Sequence, residues 1–116
     1  MKYTLKPEFK NFSKKECLLS WADALESGEY IQGRGNWRGE DGKGHCCLNV
    51  AMVHFSGDSV SESGTGEGPE AIEFLGPLIS DNCLFWQSHY VKMNDVLKYS
   101  FEQIAKDIRD TASYLS

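Results

Sequence analysis

The chain has 116 residues, of which 41% are hydrophobic and 25% are charged, and such a composition predicts one compact domain with its own core rather than a disordered tail. Its 12 basic and 17 acidic residues give a formal net charge of −5, whereas binding to DNA or to an anionic membrane surface requires a basic excess. No apolar run approaches the length of about 18 residues that a membrane span needs, and no secretory segment follows Met1. We therefore expect residues 1–116 to form a single soluble, cytoplasmic domain that binds neither DNA nor a membrane.

The first third of the chain predicts an amphipathic helix between two short strands. Residues 3–5 and 30–32 contain aromatic and β-branched side chains, which are typical of strands. Ser13 and Glu16 have the spacing of a capping box, which begins a helix, and Gly28 is the residue type that commonly ends one. The apolar positions between them follow helical spacing and are Cys17, Leu18, Trp21, Ala22 and Leu25.

Residues 33–44 have the most unusual composition, because five of these twelve residues are glycine. Glycine lets a backbone approach a ligand closely, arginine grips phosphate with two parallel hydrogen bonds, and tryptophan offers a stacking face to a base. The glycine spacing matches neither a dinucleotide fingerprint nor a P-loop. The predicted contact set for a small anionic, nucleotide-like ligand is Gln32, Arg34, Trp37 and Arg38. The alternative is a glycine-bearing hairpin whose Trp37 packs on the core and whose arginines pair with Glu40 or Asp41.

Residues 45–55 are apolar on nearly every side, and their length favours a buried helix over a buried strand. A helix that begins here places Cys46 or Cys47 at its N-terminus, where the helix dipole lowers the pKa of a thiol. With His45, His54 or His89 as the base, such a thiolate is the nucleophile of a Cys–His hydrolase or transferase. The alternative, which the apolar neighbours favour, is that both cysteines are inert core residues.

The cysteines and histidines do not indicate metal, cofactor or disulfide chemistry. The sequence lacks the paired Cys and His spacings of zinc sites, so we expect no metal and no cofactor. Disulfides are not expected in a reducing cytosol. The four cysteines then remain thiols, and they are Cys17, Cys46, Cys47 and Cys83.

An acidic stretch without any Lys or Arg extends from residue 44 to residue 91. It is interpreted as a solvated loop region or, alternatively, as an acidic face that mimics a nucleic acid. Its acidic residues are Asp58, Glu62, Glu67, Glu70, Glu73 and Asp81. Within it, residues 56–68 are rich in Gly and Ser and predict a mobile loop.

The remaining elements complete a small α+β domain. Pro69 and Gly76-Pro77 bracket a short predicted helix over residues 70–75, and residues 84–91 have a strand-like composition. Asn94 and Asp95 are expected to cap a turn. A second capping box, Ser100 and Gln103, begins a last helix whose apolar face is Phe101, Ile104, Ala105, Ile108, Ala112 and Leu115. The predicted fold packs the N-terminal and C-terminal amphipathic helices with the central apolar helix and a small antiparallel sheet.

Three blocks of the sequence resemble a family of small proteins of bacteriophages, prophages and bacteria. The first block is W-x-x-A-L-x-S-G-x-Y-x-Q at residues 21–32, the second is C-C-L at 46–48, and the third is N-D followed by S-F-x-x-I-A at 94–105. The chain departs from the family pattern at Asn49, where the family has glycine after C-C-L. The resemblance implies an origin in a phage or phage-associated genome and an intracellular place of action, in the cytoplasm of the host cell. It implies no mechanism.

The function expected from these features is that of a phage-type, non-enzymatic binding protein. It would counter host defence by sequestering a small anionic ligand or by occupying a host protein. A Cys/His-dependent hydrolase or transferase and an acidic nucleic-acid mimic are the alternatives. A homo-oligomer is compatible with the aromatic residues Phe85, Trp86 and Tyr90, which suit a subunit interface as well as a core.

Overall fold

The computed structural model describes residues 3–35, 37–39, 42–60, 67–79 and 86–115, and this part of the chain is built from helices. A 3₁₀ turn at Pro7–Phe9 precedes the first α-helix. The α-helices are α1 (Lys14–Glu26), α2 (Cys47–Ser56), α3 (Glu67–Ile79), α4 (Trp86–Val91) and α5 (Phe101–Ala112). Between α4 and α5 the chain forms one turn of π-helix at Lys92–Val96. No helix in the described ranges has the length and apolar character that crossing a membrane requires.

The predicted α+β class is wrong, because the described residues contain no strand and no sheet. Their strand-like contact is one isolated parallel bridge between Gln32 and His45. Residues 3–5 do not pair with another strand, and the chain is held there by Lys6 N, which donates to Phe55 O at 2.8 Å. The tendency of aromatic and β-branched residues to form strands depends on the packing that surrounds them, and in this chain helix packing prevails.

Residues 86–91 form helix α4 instead of the predicted strand. Tyr90 is buried on this helix, and its ring meets that of Trp21 edge-on at a centroid distance of 4.9 Å. Trp86 is partly buried and packs against the core. These two aromatic residues therefore belong to the core rather than to a free subunit interface.

The two terminal helices are confirmed, and both begin at the predicted capping boxes. Ser13 Oγ accepts from Glu16 N at 3.1 Å while Glu16 Oε1 accepts from Ser13 N at 2.9 Å. Ser100 and Gln103 make the equivalent pair of hydrogen bonds at 3.2 and 2.9 Å. Helix α5 packs chiefly on α1, because its buried face matches the predicted apolar stripe.

The central helix is also confirmed, and it lies at the middle of the core. Helix α2 has Cys46 as its N-cap and ends at Gly57, whose φ of 84° is the left-handed conformation that glycine tolerates. Trp21, which is fully buried, donates its indole N–H to Cys47 O at 3.0 Å. This hydrogen bond joins α1 to the first turn of α2 inside the apolar core.

The segment predicted as a mobile loop at 56–68 is partly ordered by contacts, and α3 is longer than predicted. Val60 is buried, and its N–H donates to Asn49 Oδ1 at 3.0 Å. Helix α3 continues past residue 75 with Pro77 inside it. Leu75 and Ile79 are one helical turn apart and fully buried, and burying this face outweighs the hydrogen bond that Pro77 cannot donate.

Several predictions concern residues outside the described ranges. They are the pairing of the arginines with Glu40 or Asp41, the state of Cys83, the strand at 84–85, the loop at 61–66, and the acidic residues Glu62 and Asp81.

Candidate functional site

The described part of the glycine-rich segment 33–44, which we call the glycine loop, folds back on itself next to the start of α2. Gly33 N donates to His45 O and His45 N donates to Ile31 O, both at 2.8 Å. Farther along the loop, Cys46 N donates to Trp37 O at 2.8 Å. The loop is therefore closed at its base by backbone hydrogen bonds, and its end leads directly into the N-cap of α2.

Three of the glycines are required because the loop crosses itself at close range. A Cβ atom on Gly33 would lie 2.7 Å from the Cα of Gly39, and a Cβ atom on Gly44 would lie 2.9 Å from the backbone N of Gly33. Gly39 also has a positive φ of 75°. These glycines serve the approach of the chain to itself rather than the approach of a ligand.

Asn94 of the π-helix connects this loop to the rest of the molecule. Its side chain is fully buried. Asn94 Nδ2 donates to Gly33 O at 2.9 Å and to Asp95 Oδ1 at 2.7 Å, while Asn94 Oδ1 accepts from Gln32 Nε2 at 3.0 Å and from Cys47 N at 3.3 Å. The amide thereby uses two donors and two acceptor positions, which is its full capacity.

Gln32 and Arg34, two of the four predicted ligand contacts, bind the backbone that leaves the π-helix. Gln32 Nε2 donates to Tyr99 O at 2.7 Å. Arg34 Nε donates to Asn94 O at 3.0 Å, and Arg34 Nη2 donates to Lys98 O and Tyr99 O at 3.2 and 3.3 Å. These donors hold the loop against residues 94–99.

Arg38 and Trp37, the other two predicted contacts, have different roles. Arg38 Nε donates to Gly44 O at 2.8 Å and so braces the loop from within. Trp37 is partly buried and packs against the core, as the hairpin interpretation predicted. It is the one member of the predicted contact set that lines the cleft described next.

A cleft of about 210 Å³ lies between the glycine loop, the first turn of α2 and the segment from α4 to the π-helix. Its apolar and sulfur-bearing lining consists of Trp37, Cys46, Cys47, Leu48 and Val91, and its remaining lining consists of Gly35, Gln87, Asn94 and Asp95. In the described part of the chain, the lining therefore contains one carboxylate and no Lys or Arg. It brings together Trp37 from the predicted ligand set and both cysteines from the predicted nucleophile set.

The backbone beside the cleft is unusual in two respects. A π-helix is rare and often marks a functional site, and the cleft residues Asn94 and Asp95 belong to one. Lys98 has a positive φ of 56°, which costs free energy for a residue other than glycine. Arg34 and Gln32 hold the carbonyl groups of Lys98 itself and of Tyr99, which follows it.

Exposed apolar side chains surround this strained turn, and we call them the apolar rim: Ile31, Val96, Leu97 and Tyr99. Ile31 exposes 73% of its surface and Val96 exposes 68%. The hydrogen bond from Gln32 to Tyr99 O brings the start of the glycine loop next to the end of the rim. Clustered apolar exposure of this kind is typical of interaction surfaces.

The thiols at the start of α2 are held in the core. Cys46 Sγ accepts from Asn49 N at 3.4 Å as the helix N-cap. Cys47 is fully buried, its Sγ donates to Tyr90 O at 3.5 Å, and burial raises the pKa of the Cys47 thiol well above its ordinary value. The nucleophile alternative relies on a thiol pKa lowered by the helix dipole, but at Cys47 the desolvation of a thiolate outweighs the dipole, in agreement with the interpretation as a core residue.

Each histidine has a hydrogen-bond partner that is not a cysteine. His45 Nδ1 contacts Asn49 Nδ2 at 2.9 Å, His54 Nε2 contacts Ser20 Oγ at 2.7 Å, and His89 Nε2 pairs with Asp107 Oδ2 at 3.1 Å. Burial lowers the pKa of His45 and of His54. The described residues hold no group of three or more His, Cys, Asp or Glu side chains arranged for a metal ion.

Two acidic residues of the stretch 44–91 lie near the N-terminal segment. Asp58 is exposed and Glu70 is half-buried. The pKa of Tyr3 is raised, first by burial and then by the charges of Glu70 and Asp58. These two carboxylates therefore lie near Tyr3, and neither lines the cleft. Glu73 is exposed on α3.

The central role of Asn94 and Asp95 has little signal in the sequence. A polar Asn-Asp pair between the apolar residues Met93 and Val96 favours a turn cap, and only the structure reveals that Asn94 is buried.

Comparison of the chain with protein-family models, with curated proteins and with solved structures gives no match.

Proposed function

We propose that this chain is a non-enzymatic binding protein that acts by occupying another protein, with the cleft and the apolar rim as its contact surface. The observation that carries the proposal is the combination of an apolar cleft beside a π-helix with exposed apolar residues at the strained turn that follows it. Apolar residues with a small number of polar groups form the centre of many protein interfaces.

The geometry favours a protein partner over a small anionic ligand. The donors of Gln32 and the Nε and Nη2 donors of Arg34 are engaged with backbone carbonyl groups and with Asn94. Among the described residues the cleft is lined by Asp95 and by no basic side chain, so the charge of this lining repels a phosphate. Of the two modes of action that the sequence predicts, occupying a host protein is thus better supported than sequestering a small anionic ligand.

The same observations favour a binding role over thiol chemistry. A catalytic cysteine needs a thiolate and a neighbouring base, whereas the pKa of Cys47 is raised by burial and the three histidines are bonded to Asn49, Ser20 and Asp107. The proposal also includes what the resemblance of the sequence blocks to phage-associated proteins implies. The chain would be encoded in a phage or phage-associated genome and would act on a host-defence protein in the host cytoplasm.

Site-specific photo-crosslinking tests the proposal. A photoreactive benzoylphenylalanine replaces Val91, which lines the cleft, or Phe12, which precedes α1, in protein produced in bacterial cells. Val91 and Phe12 each expose 38% of their surface, so the two probes are matched in accessibility and differ in location. We expect a discrete crosslinked partner protein from position 91 and none from position 12.

The variant Val91→Glu completes the test, with Phe12→Glu as its control. Val91→Glu should abolish capture of the same partner at an unchanged thermal midpoint, whereas Phe12→Glu should retain it. Equal crosslinking at both positions, or capture that survives Val91→Glu, would overturn the proposal. Release of a nucleotide from the purified, denatured protein would favour anion sequestration instead.

A further inference from the structure

We infer that the cleft receives an arginine side chain of the partner protein, with its guanidinium group on Asp95. This inference rests on the proposed function and specifies the chemistry of its partner. It follows from the distribution of hydrogen-bond capacity, apolar surface and charge among the residues that line the cleft.

Asp95 is the lining residue with a negative charge, and it still offers an acceptor to a ligand, as does the uncharged side chain of Gln87. Asp95 Oδ1 accepts from Gly35 N at 3.0 Å and from Asn94 Nδ2 at 2.7 Å. Asp95 Oδ2 has no partner among the residues that the structure describes. The neighbouring Asn94 has used all its capacity within the protein. The carboxylate is therefore fixed in orientation through one oxygen and presents the other for recognition.

The remaining lining suits the stem and the planar head of arginine. Leu48 and Val91 provide aliphatic surface, and Trp37 provides an aromatic surface. Arginine buries its methylene stem on apolar surface, stacks its guanidinium group on aromatic rings and donates two hydrogen bonds to a carboxylate. A cleft of about 210 Å³ is large enough for one such side chain but small for a folded segment.

The negative charge of the molecule also favours a positively charged group in the cleft. The lining residues that the structure describes include one acid and no base, and the whole chain carries a formal net charge of −5. A protein of net negative charge attracts a basic partner over a distance and repels an acidic one. The cleft thus offers electrostatic complementarity to a cation and apolar complementarity to its stem.

Selection from a displayed library of random 12-residue peptides tests the inference. Wild-type protein and the variant Asp95→Asn are used as parallel baits. Asparagine keeps an oxygen for Gly35 N and Asn94 Nδ2 but removes the negative charge. We expect arginine to be enriched next to apolar residues in the wild-type pool and not in the Asp95→Asn pool.

A titration with one selected peptide then locates the contact. The peptide is compared with a copy in which citrulline, the uncharged isostere, replaces the arginine. By ¹H–¹⁵N spectra, the arginine peptide should shift the Trp37 indole signal and the backbone signals of residues 87–95. It should bind roughly fivefold or more tightly than the citrulline peptide, and this ratio should fall to about one with Asp95→Asn.

The outcomes separate this inference from the proposed function. Equal binding of the arginine and citrulline peptides at the cleft would overturn the inference while leaving protein binding intact. Enrichment of lysine alone or of acidic peptides, or shifts of the cleft signals by inorganic phosphate, would also overturn it. If no peptide is enriched but crosslinking from position 91 succeeds, the inference fails alone. If crosslinking fails as well, both fail.

Discussion

At the scale of single residues, two buried asparagines hold the segments around the cleft. Asn94 joins the glycine loop, α2 and the π-helix. Asn49, in the first turn of α2, makes comparable contacts: its Nδ2 contacts His45 Nδ1 and Ser59 Oγ, both at 2.9 Å, and its Oδ1 accepts from Val60 N at 3.0 Å. Buried amides with complete partners specify one arrangement, because any other arrangement leaves polar groups unpaired.

Replacing Asn49 with glycine should destabilise the protein. The substitution leaves Val60 N without its acceptor and adds the cost of glycine inside a helix. We expect a loss of about 2–4 kcal/mol in the free energy of unfolding, measured by urea denaturation.

Asn11→Gly is the matched control, because Asn11 is exposed in the turn before α1. Its effect should stay within about 0.5 kcal/mol. Similar effects of the two substitutions would show that the contacts of Asn49 do not stabilise the fold.

At the scale of elements, the glycine loop and α3 use glycine for different reasons. At Gly33 a side chain would collide with the backbone of Gly39, whereas at Gly76, inside α3, no atom of a distant residue lies within 4 Å of an added Cβ. The first glycine is required by the chain crossing. The second stands directly before Pro77, whose ring crowds a Cβ at the preceding helical residue.

Gly33→Ala and Gly76→Ala should therefore change stability by clearly different amounts. Gly33→Ala should lower the thermal midpoint, because the backbone must shift to relieve the clash, at a cost of about 1–3 kcal/mol. Gly76→Ala should change the free energy of unfolding by less than about 1 kcal/mol, because its gain in helix propensity is opposed by the crowding of the added Cβ against Pro77. Calorimetry on both variants measures the difference, and equal losses would contradict the role of Gly33 in the chain crossing.

At the scale of the whole molecule, burial of two histidines couples folding to pH. His45 is bonded to Asn49 and lies near Arg38, and His54 is bonded to Ser20 on α1. Burial lowers the pKa of each ring below the ordinary value of 6.5. The unfolded chain consequently binds more protons than the native state in the window just below that value.

Stability should therefore be complete above pH 6.5 and fall as the pH decreases through the lowered pKa values of His45 and His54. Urea denaturation at pH 7.5 and pH 5.5 measures the difference, in a range where most carboxylates stay ionised. The double variant His45→Asn and His54→Gln, whose amide oxygens replace the two ring acceptors, should lose less stability on acidification than the wild type. An equal loss would assign the pH dependence to other groups.

The sequence by itself determined the elements whose signals are local. The capping boxes at Ser13 and Ser100 act over three residues, and the apolar stripes of α1 and α5 repeat every three to four residues, so both helices were predicted at their observed starts. The apolar run of α2 was long enough to predict a helix. Trp37, Cys46 and Cys47 were identified as candidate site residues, and all three line the cleft.

The tertiary structure alone decided what depends on contacts between distant parts of the chain. Residues 30–32 and 84–91 have the composition of strands, but 86–91 became helical because Tyr90 packs on Trp21, some seventy positions away in sequence. The sequence predicts that Arg34 contacts a phosphate. In the folded chain, however, Arg34 Nε donates to Asn94 O at 3.0 Å. Composition states which donors and apolar groups exist, whereas only packing decides which of them remain available to a partner.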